Sequence, residues 1–273
     1  MKTLKDHTIL YDAECPVCTL YAKKLESSGA LAIGSGAAYQ TLQAAACPMV
    51  DRQRAANEIA MIHTRTGEVT YGIDSLFKLM ANTWPNLKGL FNFKPFLWLM
   101  ARVYRFFSYN RRVIVPAGNV NAFAIQPAFK IKYRLTYLFF TWLMASCILT
   151  GYAHLLSDIM PVGGTYREYF ICGGQIVFQG LIVSFYARHK KWDYLGNMMT
   201  ISAGGALLLL PALVVNLFIT LPALVYTLYF LGVAALMFFE HIRRTKLLAL
   251  GWVLTLTWVL YRIGILLYIL KFE

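Results

Sequence analysis

Long apolar segments recur through the second half of the chain and distinguish it from the first half. Each has close to the roughly 20 residues that an α-helix needs to cross about 30 Å of hydrocarbon. The pattern predicts five membrane-spanning helices, near residues 136–156, 169–187, 196–215, 220–239 and 247–270. The third and fourth come from one apolar block, and Pro211, Asn216 and Pro222 indicate where it folds back. Residues 135–273 are therefore predicted to form an all-α transmembrane domain.

The first 90 residues have shorter and more polar periodic segments. "HTILY" predicts a strand, and "CTLYAKKLESSG" predicts a helix that ends near Gly29. After a helical patch around residues 40–46, "NEIAMIHT" and "VTYG" flank a turn at "RTGE" and predict a hairpin. "DSLFKLMANTW" predicts a last helix with Asp74 as its N-cap. This order of elements indicates an α/β thioredoxin-like domain over residues 1–90.

Residues 91–134 form a basic and aromatic segment between the two predicted domains. "FKPFLWLMARVYRFFSYNRR" interleaves aromatic residues with Arg102 and Arg105, which predicts an amphipathic helix at the membrane interface, with Pro95 near its start. The alternative is a helix packed on the soluble domain. Ser75 to Arg134 holds ten Lys and Arg residues and no Asp or Glu. We expect this collar to contact anionic lipid headgroups, and no nucleic-acid fold signature accompanies the charge.

The distribution of basic residues predicts the orientation in the membrane. Lys and Arg accumulate before span one, after span two and after span four, whereas the alternate loops are poor in both. Because short cytoplasmic loops carry the excess of Lys and Arg, the amino-terminal domain is expected in the cytoplasm and the carboxyl terminus outside. No cleavable signal peptide is expected at "MKTLKDHTILYDAEC". Cysteine usage fits a reducing compartment, and a bacterial inner membrane is the expected location.

The candidate chemistry lies in "LYDAECPVC", at the junction of the first strand and the first helix. Cys15 falls at the helix amino terminus, where unpaired backbone N–H groups favour a thiolate. Cys18 is expected on the same face one turn deeper, where it can resolve a mixed disulfide formed at Cys15. Asp12 is a candidate proton carrier for Cys18, and Glu14 is expected to point to solvent. This chemistry needs no bound cofactor.

The same run resembles the DxxCxxC signature of the DCC thiol-disulfide oxidoreductase family, through Asp12, Cys15 and Cys18. "YGIDSLFKL" is similar to the Gly-containing segment of that family, which makes Gly72 and Asp74 candidate substrate-binding residues. "VYRFFSYNRR" is similar to its Tyr and Asn-Arg ending, so the resemblance covers about residues 7–112. It implies a thioredoxin-like domain with Cys15 and Cys18 as the redox pair. A protein or a small thiol is the implied redox partner.

Two alternatives for the CxxC remain open from sequence. Cys15 and Cys18 could form half of a zinc site completed by Cys47 and His63, although a second closely spaced pair is missing. They could also be inert thiols. The sequence favours the redox pair and no metal.

Polar residues in the apolar half suggest further possibilities. Arg262 lies well inside a predicted span and is expected to snorkel outward or to meet Asp158 or Glu168. Four amides are expected to join helices by hydrogen bonds: Gln175, Gln179, Asn197 and Asn216. Cys147 and Cys172 are expected to be buried thiols, with a transmembrane relay as the alternative. The leading hypothesis is a membrane-anchored oxidoreductase, and assembly into a membrane-protein complex is a further expectation. The alternatives are a channel, carrier or lipid-binding protein with a redox-sensing domain, and a noncatalytic assembly factor.

Overall fold

The computed structural model describes residues 3–41, 49–118 and 125–272. It divides the chain into two compact units, Met1–Tyr133 and Arg134–Glu273. Most of the segment expected as a separate juxtamembrane region, 91–134, thus belongs to the same compact unit as residues 1–90.

The described residues of the first unit form a four-stranded mixed sheet and five α-helices. The strands are β1 (His7–Tyr11), β2 (Gly36–Ala38), β3 (Ala60–His63) and β4 (Val69–Tyr71). The helices are α1 (Pro16–Ser27), α2 (Arg52–Asn57), α3 (Ile73–Thr83), α4 (Lys88–Phe91) and α5 (Lys94–Ile114). The strand order is β2-β1-β3-β4, with β1 parallel to β2 and antiparallel to β3. β3 and β4 pair antiparallel, so the predicted strand, helix and hairpin order is confirmed.

Both faces of the sheet are covered. Successive residues of β1 point to opposite faces, so neighbouring side chains pack in different clusters. Ile9 packs against Leu31, Met61 and Leu79 on the face that α3 covers. Leu10 packs on the other face against Tyr39, Val50 and the alanines of α2. The domain is therefore of the α/β class that the sequence predicts, with packed residues on both faces of the sheet. Of the helical patch expected at 40–46, residues 42–48 lie outside the described residues.

Helix α3 begins two residues earlier than the predicted cap requires. Gly72 is its N-cap with φ 60°, and Asp74 lies in the first turn, so the assignment of Asp74 as N-cap was wrong. A Cβ at Gly72 would lie 2.7 Å from a carboxylate oxygen of Glu58 and 3.2 Å from the Tyr104 ring. Only glycine accommodates both the positive φ and this close approach.

Helix α5 forms over the aromatic segment and has two different faces. Its inner face packs on α3 and α4, where Phe96 stacks on Phe77 with ring centroids 5.5 Å apart. This contact matches the alternative of a helix packed on the soluble domain. Its outer face exposes Trp98, Leu99, Val103 and Phe107. One helix thus combines packing on the domain with an exposed apolar surface.

The second unit contains five long apolar helices, as predicted. Most of α6 (Ile131–Ala153) belongs to it, together with α7 (Arg167–Tyr186), α8 (Lys191–Asn216), α9 (Ala223–Leu247) and α10 (Val253–Phe272). Each of the five belongs to a segment long and apolar enough to cross a membrane. Pro211 lies inside α8 rather than at its end, and the chain turns after Asn216. These helices indicate an integral membrane protein.

Side-chain amides connect the helices of the second unit at Gln179, Asn197 and Asn216, as expected. The expectation was wrong for Gln175, whose buried amide has no hydrogen-bond partner among the described residues. Gln179 of α7 accepts a hydrogen bond from Tyr194 of α8 at 2.8 Å, and Arg244 of α9 donates to Asn197 of α8 at 2.9 Å. Glycines permit close packing: Gly205 faces Met237, and Gly174 faces Tyr261. Polar groups in this unit therefore stabilise helix contacts at Gln179, Asn197 and Asn216.

Candidate active site at the CxxC motif

The CxxC motif occupies the junction of β1 and α1. Cys15 is the N-cap of α1, with extended backbone angles of φ −93° and ψ 113°, and Pro16 follows at the first helical position. The Cys15 N–H donates to the Asp12 carbonyl at 3.1 Å, and the Cys15 carbonyl accepts from the Thr19 N–H at 3.1 Å. This turn places the Cys15 sulfur beside the unpaired N–H groups of the helix.

The two sulfurs differ in exposure, in the opposite sense to the prediction. Cys15 is 0% exposed, whereas Cys18 is partly exposed and lines a cavity of about 220 Å³. The expectation that Cys18 lies deeper than Cys15 was therefore wrong. Asp12 and Cys15 are buried, whereas Pro16 and Val17 at the start of α1 are exposed.

The pair is electrostatically asymmetric. The Cys18 thiol donates a hydrogen bond to the Cys15 sulfur and lowers the pKa of Cys15 to about 6, against the opposing effect of burial. The Cys18 backbone N–H and the nearby Arg111 guanidinium also lower this pKa. The same hydrogen bond, together with burial, raises the pKa of Cys18. At neutral pH the reduced pair therefore holds one thiolate, on Cys15, and one thiol, on Cys18.

Asp12 is buried beside this pair and is paired with arginines. Its Oδ2 lies 2.8 Å from Arg111 Nη2 and 3.2 Å from Arg112 Nη2, and its Oδ1 accepts from Gln40 at 2.7 Å. Burial by itself raises the pKa of Asp12, but the charge and hydrogen bond of Arg111, the charge of Arg112 and the hydrogen bond from Gln40 outweigh it. The net pKa is lowered. A carboxylate held this firmly in its ionised form is a weak proton acceptor.

Glu14 also belongs to the cluster, contrary to the expectation that it points to solvent. Its carboxylate lies 3.0 Å from Arg112 Nη2. The basic pair Arg111–Arg112 thus neutralises two carboxylates that would otherwise raise the pKa of the nearby thiols.

Sequence reasoning did not assign Arg111 and Arg112 to the site. Arg111 donates to the carbonyls of Ala56 at 2.6 Å and Asn57 at 2.9 Å as well as to Asp12, so it joins the ends of α2 and α5 to β1. Asn110 is buried and donates to the carbonyls of Phe106 and Tyr133. The sequence did contain a signal for these residues, because the resemblance singled out the Asn-Arg ending of "VYRFFSYNRR". The positive charge of this segment instead favoured its assignment to the membrane surface.

The cavity beside Cys18 is mainly apolar. Its apolar wall comes from β1, α1, α3 and α5 and from the residue before β3, and includes Tyr11, Val17, Tyr21, Ile59, Leu76 and Phe107. Asp12, Glu58, Ser108 and Arg111 add polar groups. The Tyr104 hydroxyl accepts the Ile59 N–H at 2.9 Å, and burial raises the pKa of Tyr104 to about 12. Tyr104 therefore stays protonated in the wall at neutral pH.

The residues proposed from the sequence fall into two groups. Asp12, Cys15 and Cys18 lie together, and Gly72 supports the cavity wall through its close approach to Glu58 and Tyr104. Asp74 lines two other depressions and is not in the wall beside Cys18. The role of Asp74 in substrate binding is still a prediction, and the observed geometry does not support it.

The zinc alternative involves residues in different settings. Cys47 lies outside the described residues. His63 Nδ1 accepts the Thr66 N–H at 3.1 Å, and its ring contacts His7 edge-on. Across residues 3–41, 49–118 and 125–272, no three His, Cys, Asp or Glu side chains are grouped so that they could hold a metal ion.

A small mixed sheet with a CxxC at its strand-to-helix junction, one low-pKa sulfur and an adjoining cavity defines a domain of the thiol-disulfide oxidoreductase class. Residues 9–115 match the family model described as DCC1-like thiol-disulfide oxidoreductase. This match confirms the resemblance for this part of the chain, and five candidate membrane helices follow it. No curated protein and no solved structure matches the chain significantly.

Proposed function

We propose that the protein is a membrane-anchored thiol-disulfide oxidoreductase that exchanges disulfides through Cys15 and Cys18. The observation that supports this most directly is the position of Cys15 as the N-cap of α1 with Cys18 in the first turn, where the interaction with Cys18 lowers the pKa of Cys15 to about 6. A thiolate is the nucleophile of disulfide exchange.

The exchange proceeds in two steps. The Cys15 thiolate attacks one sulfur of a substrate disulfide, the substrate S–S bond breaks, and one substrate thiolate leaves. Cys18 then loses its proton to the departing thiolate or to water in the cavity and attacks the Cys15 sulfur, which releases the second substrate thiolate. The substrate is reduced by two electrons, and Cys15 and Cys18 are oxidised to a disulfide. A dithiol donor must then reduce the Cys15–Cys18 disulfide again. The same steps in the opposite direction oxidise a substrate dithiol.

Access to Cys15 determines which substrates can react. Because Cys15 is fully covered and Cys18 lines the cavity, the disulfide approaches through the cavity, and the Cys18 side chain must rotate away to expose Cys15. A volume of about 220 Å³ accommodates a small thiol compound or one side chain of a protein partner. We therefore propose a small-thiol or protein redox partner that presents an apolar group next to its disulfide.

Asp12 and Arg111 position the reacting sulfurs in this proposal. The lowered pKa of Asp12 argues against the proton-carrier role expected from the sequence. Asp12 instead holds the Arg111 guanidinium near Cys15, where its charge lowers the thiol pKa.

Trapping the mixed disulfide tests the proposal. In a Cys18→Ser variant of the full chain, Cys15 is expected to remain bound to its partner because the resolving thiol is missing. The adduct is identified by non-reducing electrophoresis and mass spectrometry of the linked peptides. The matched control is Cys15→Ser, which should trap nothing. Adducts that form only on Cys18 would reverse the proposed roles, and no adduct on either residue would refute the exchange.

We propose further that the outer face of α5 contacts anionic lipid. Trp98 is exposed, the Arg102 guanidinium lies 3.9 Å from its ring centre, and the helix carries only basic charges. Aromatic and basic side chains on one face are typical of a helix at the bilayer surface.

Photocrosslinking tests this contact with lipid. A photoreactive residue at Leu99 is expected to crosslink phosphatidylglycerol in nanodiscs that contain the full chain. The same residue at Ile33, which is 93% exposed and distant in sequence, is the control and should crosslink little lipid. Equal crosslinking at both positions would contradict the proposed surface.

A further inference from the structure

The five-helix unit contains a cavity of about 340 Å³ to which all five helices contribute. The wall is apolar over most of its area, with Leu149, Leu209 and Phe230 among its residues. Its volume lies within the range of about 300–1,000 Å³ that small-molecule sites occupy. It is separate in sequence from the cavity beside Cys18.

Two hydrogen-bond donors of α10 line this cavity. Trp258 is only 6% exposed, and its Nε1–H is buried without a hydrogen-bond partner among the described residues. The Arg262 guanidinium lies 5.8 Å from the centre of the Trp258 ring and close to the Cys172 sulfur. One helix therefore brings a cation and an unused N–H donor to one apolar cavity.

Arg262 has no acidic partner in the part of the chain that the structure describes. The sequence suggested Asp158 or Glu168, but Glu168 pairs with Arg167 at 2.9 Å, and no described carboxylate lies within ion-pair distance of Arg262. A guanidinium inside an apolar helix is costly unless an anion compensates its charge. A buried N–H without an acceptor is costly as well. Both costs fall if a ligand supplies acceptor oxygens.

These features indicate the chemistry of the ligand. Donors without an opposing carboxylate favour a group that only accepts hydrogen bonds, and the uncompensated charge favours an anion over a neutral carbonyl compound. The apolar wall favours a hydrocarbon chain. We propose that this cavity binds a single-chain amphiphilic carboxylate of the fatty-acid class, with its carboxylate on Arg262 and the Trp258 Nε1–H and its chain along the apolar wall.

The test measures quenching of tryptophan fluorescence in the full chain, reconstituted in nanodiscs of phosphatidylcholine. Dibrominated stearate is the anionic probe, and its methyl ester is the neutral probe. The stearate is expected to quench saturably, to be displaced by unlabelled stearate and to bind about tenfold more tightly than the ester, since the ester lacks the charge-assisted hydrogen bonds.

Substitutions at the cavity make the test specific. Arg262→Gln should weaken binding of the acid about tenfold and leave binding of the ester unchanged, and Arg262→Lys should restore part of the affinity. The matched control is Lys271→Gln, which removes an exposed positive charge from the same helix and should bind as the parent does. Ala234→Phe fills the cavity without changing its charge and should abolish saturable binding.

Three results would overturn the proposal. The first is quenching that rises linearly with probe, which reports partition into the bilayer only. The second is equal affinity for acid and ester that Arg262→Gln leaves unchanged. The third is full binding by Ala234→Phe, which places the probe elsewhere. Size-exclusion profiles like that of the parent establish that each variant is folded, and Ala234→Phe provides the decisive result if Arg262→Gln does not fold.

Discussion

Cys15 carries the reactive charge of the site because Cys18 donates a hydrogen bond to it and lowers its pKa to about 6. A group with a lowered pKa is ionised above that value, so the thiolate is present at neutral pH and is lost as the pH falls through 6. We expect the rate of disulfide exchange at Cys15 to be nearly constant above about pH 7 and to fall about tenfold per pH unit well below 6.

This pH profile is measured with a small aromatic disulfide on a chain in which Cys47, Cys147 and Cys172 are replaced by Ser. The comparison is a Cys18→Ala variant in the same background. Loss of the donor should move the midpoint upward toward the ordinary value of 9.0. Equal midpoints in the two proteins would show that the hydrogen bond does not stabilise the thiolate.

Arg111 is the second residue on which the site depends, because it pairs with a carboxylate that is 1% exposed. Arg111→Leu leaves Asp12 buried with Arg112 as its remaining cation, and we expect a loss of up to about 3 kcal/mol in the free energy of unfolding of the first unit. Since the pKa of Asp12 is lowered on folding, this loss is present at neutral pH and shrinks as acid protonates Asp12. The loss of stability is measured by thermal unfolding, monitored through the susceptibility of the first unit to proteolysis.

The control for Arg111 is an exposed ion pair in the same unit. Arg65 lies 3.1 Å from Asp6 and its side chain is 76% exposed, so Arg65→Leu should cost less than about 1 kcal/mol. Equal losses in the two variants would mean that burial of the Asp12 pair contributes nothing to stability. A second readout separates positioning from folding: Arg111→Leu should also raise the pKa of Cys15.

At the scale of elements, the start of α3 supports the cavity wall. Gly72 has φ 60°, and a Cβ there would contact Glu58 and Tyr104. Gly72→Ala should therefore combine backbone strain of about 1–2 kcal/mol with displacement of Tyr104 from the Ile59 N–H. We expect lower stability and slower exchange at Cys15, measured by thermal unfolding and by the disulfide assay.

Gly67 provides the matched comparison in the hairpin turn. It also has a positive φ, 73°, but a Cβ there would have no neighbour within 4 Å. Gly67→Ala should show the strain alone and exchange as fast as the parent. If both variants exchange at the same rate, the contact between Gly72 and Tyr104 has no effect on the site.

Helix α5 illustrates why an element can be predicted while its packing is not. Its length, its aromatic residues and the proline near its start are local properties, and the helix forms where the pattern predicts it. Which face packs depends on the aromatic cluster of α3 and α4, to which Phe77 and Phe91 belong. The amphipathic pattern is the same for a helix on a membrane and a helix on a domain.

At the scale of the whole molecule, the orientation in the membrane remains a proposal based on the basic loops. We expect the first unit in the cytoplasm of a bacterial inner membrane and the carboxyl terminus outside. In a background without other reactive cysteines, Ile33→Cys should react with an impermeant maleimide only after the membrane is permeabilised. Tyr166→Cys, in a loop that the orientation places outside, should react in intact cells.

Both introduced cysteines replace exposed side chains, so burial does not limit the reaction. Labelling of Ile33→Cys in intact cells, with no labelling of Tyr166→Cys, would invert the orientation. The first unit would then face an oxidising compartment, and oxidation of substrate dithiols would be the expected direction of exchange.

The sequence by itself determined the elements that depend on local pattern. The strand "HTILY", the CxxC at a helix start, the hairpin and the five apolar helices all follow from periodicity, capping and length, which act over a few neighbouring residues. The resemblance pointed to Cys15 and Cys18 as the proposed redox pair for the same reason, because its motif is contiguous.

Only the tertiary structure decided which sulfur is covered, which cations neutralise Asp12 and Glu14, and what faces Arg262. Asp12 and Arg111 lie 99 residues apart in sequence, and no local pattern relates them. The burial and pairing of charged groups depend on which distant segments of the chain meet in the fold. The free energy of a charged group therefore depends on its three-dimensional environment rather than on its neighbours in the sequence. The difference in exposure between the covered Cys15 and the partly exposed Cys18 depends on how the rest of the unit packs around the start of α1, which the motif alone does not contain.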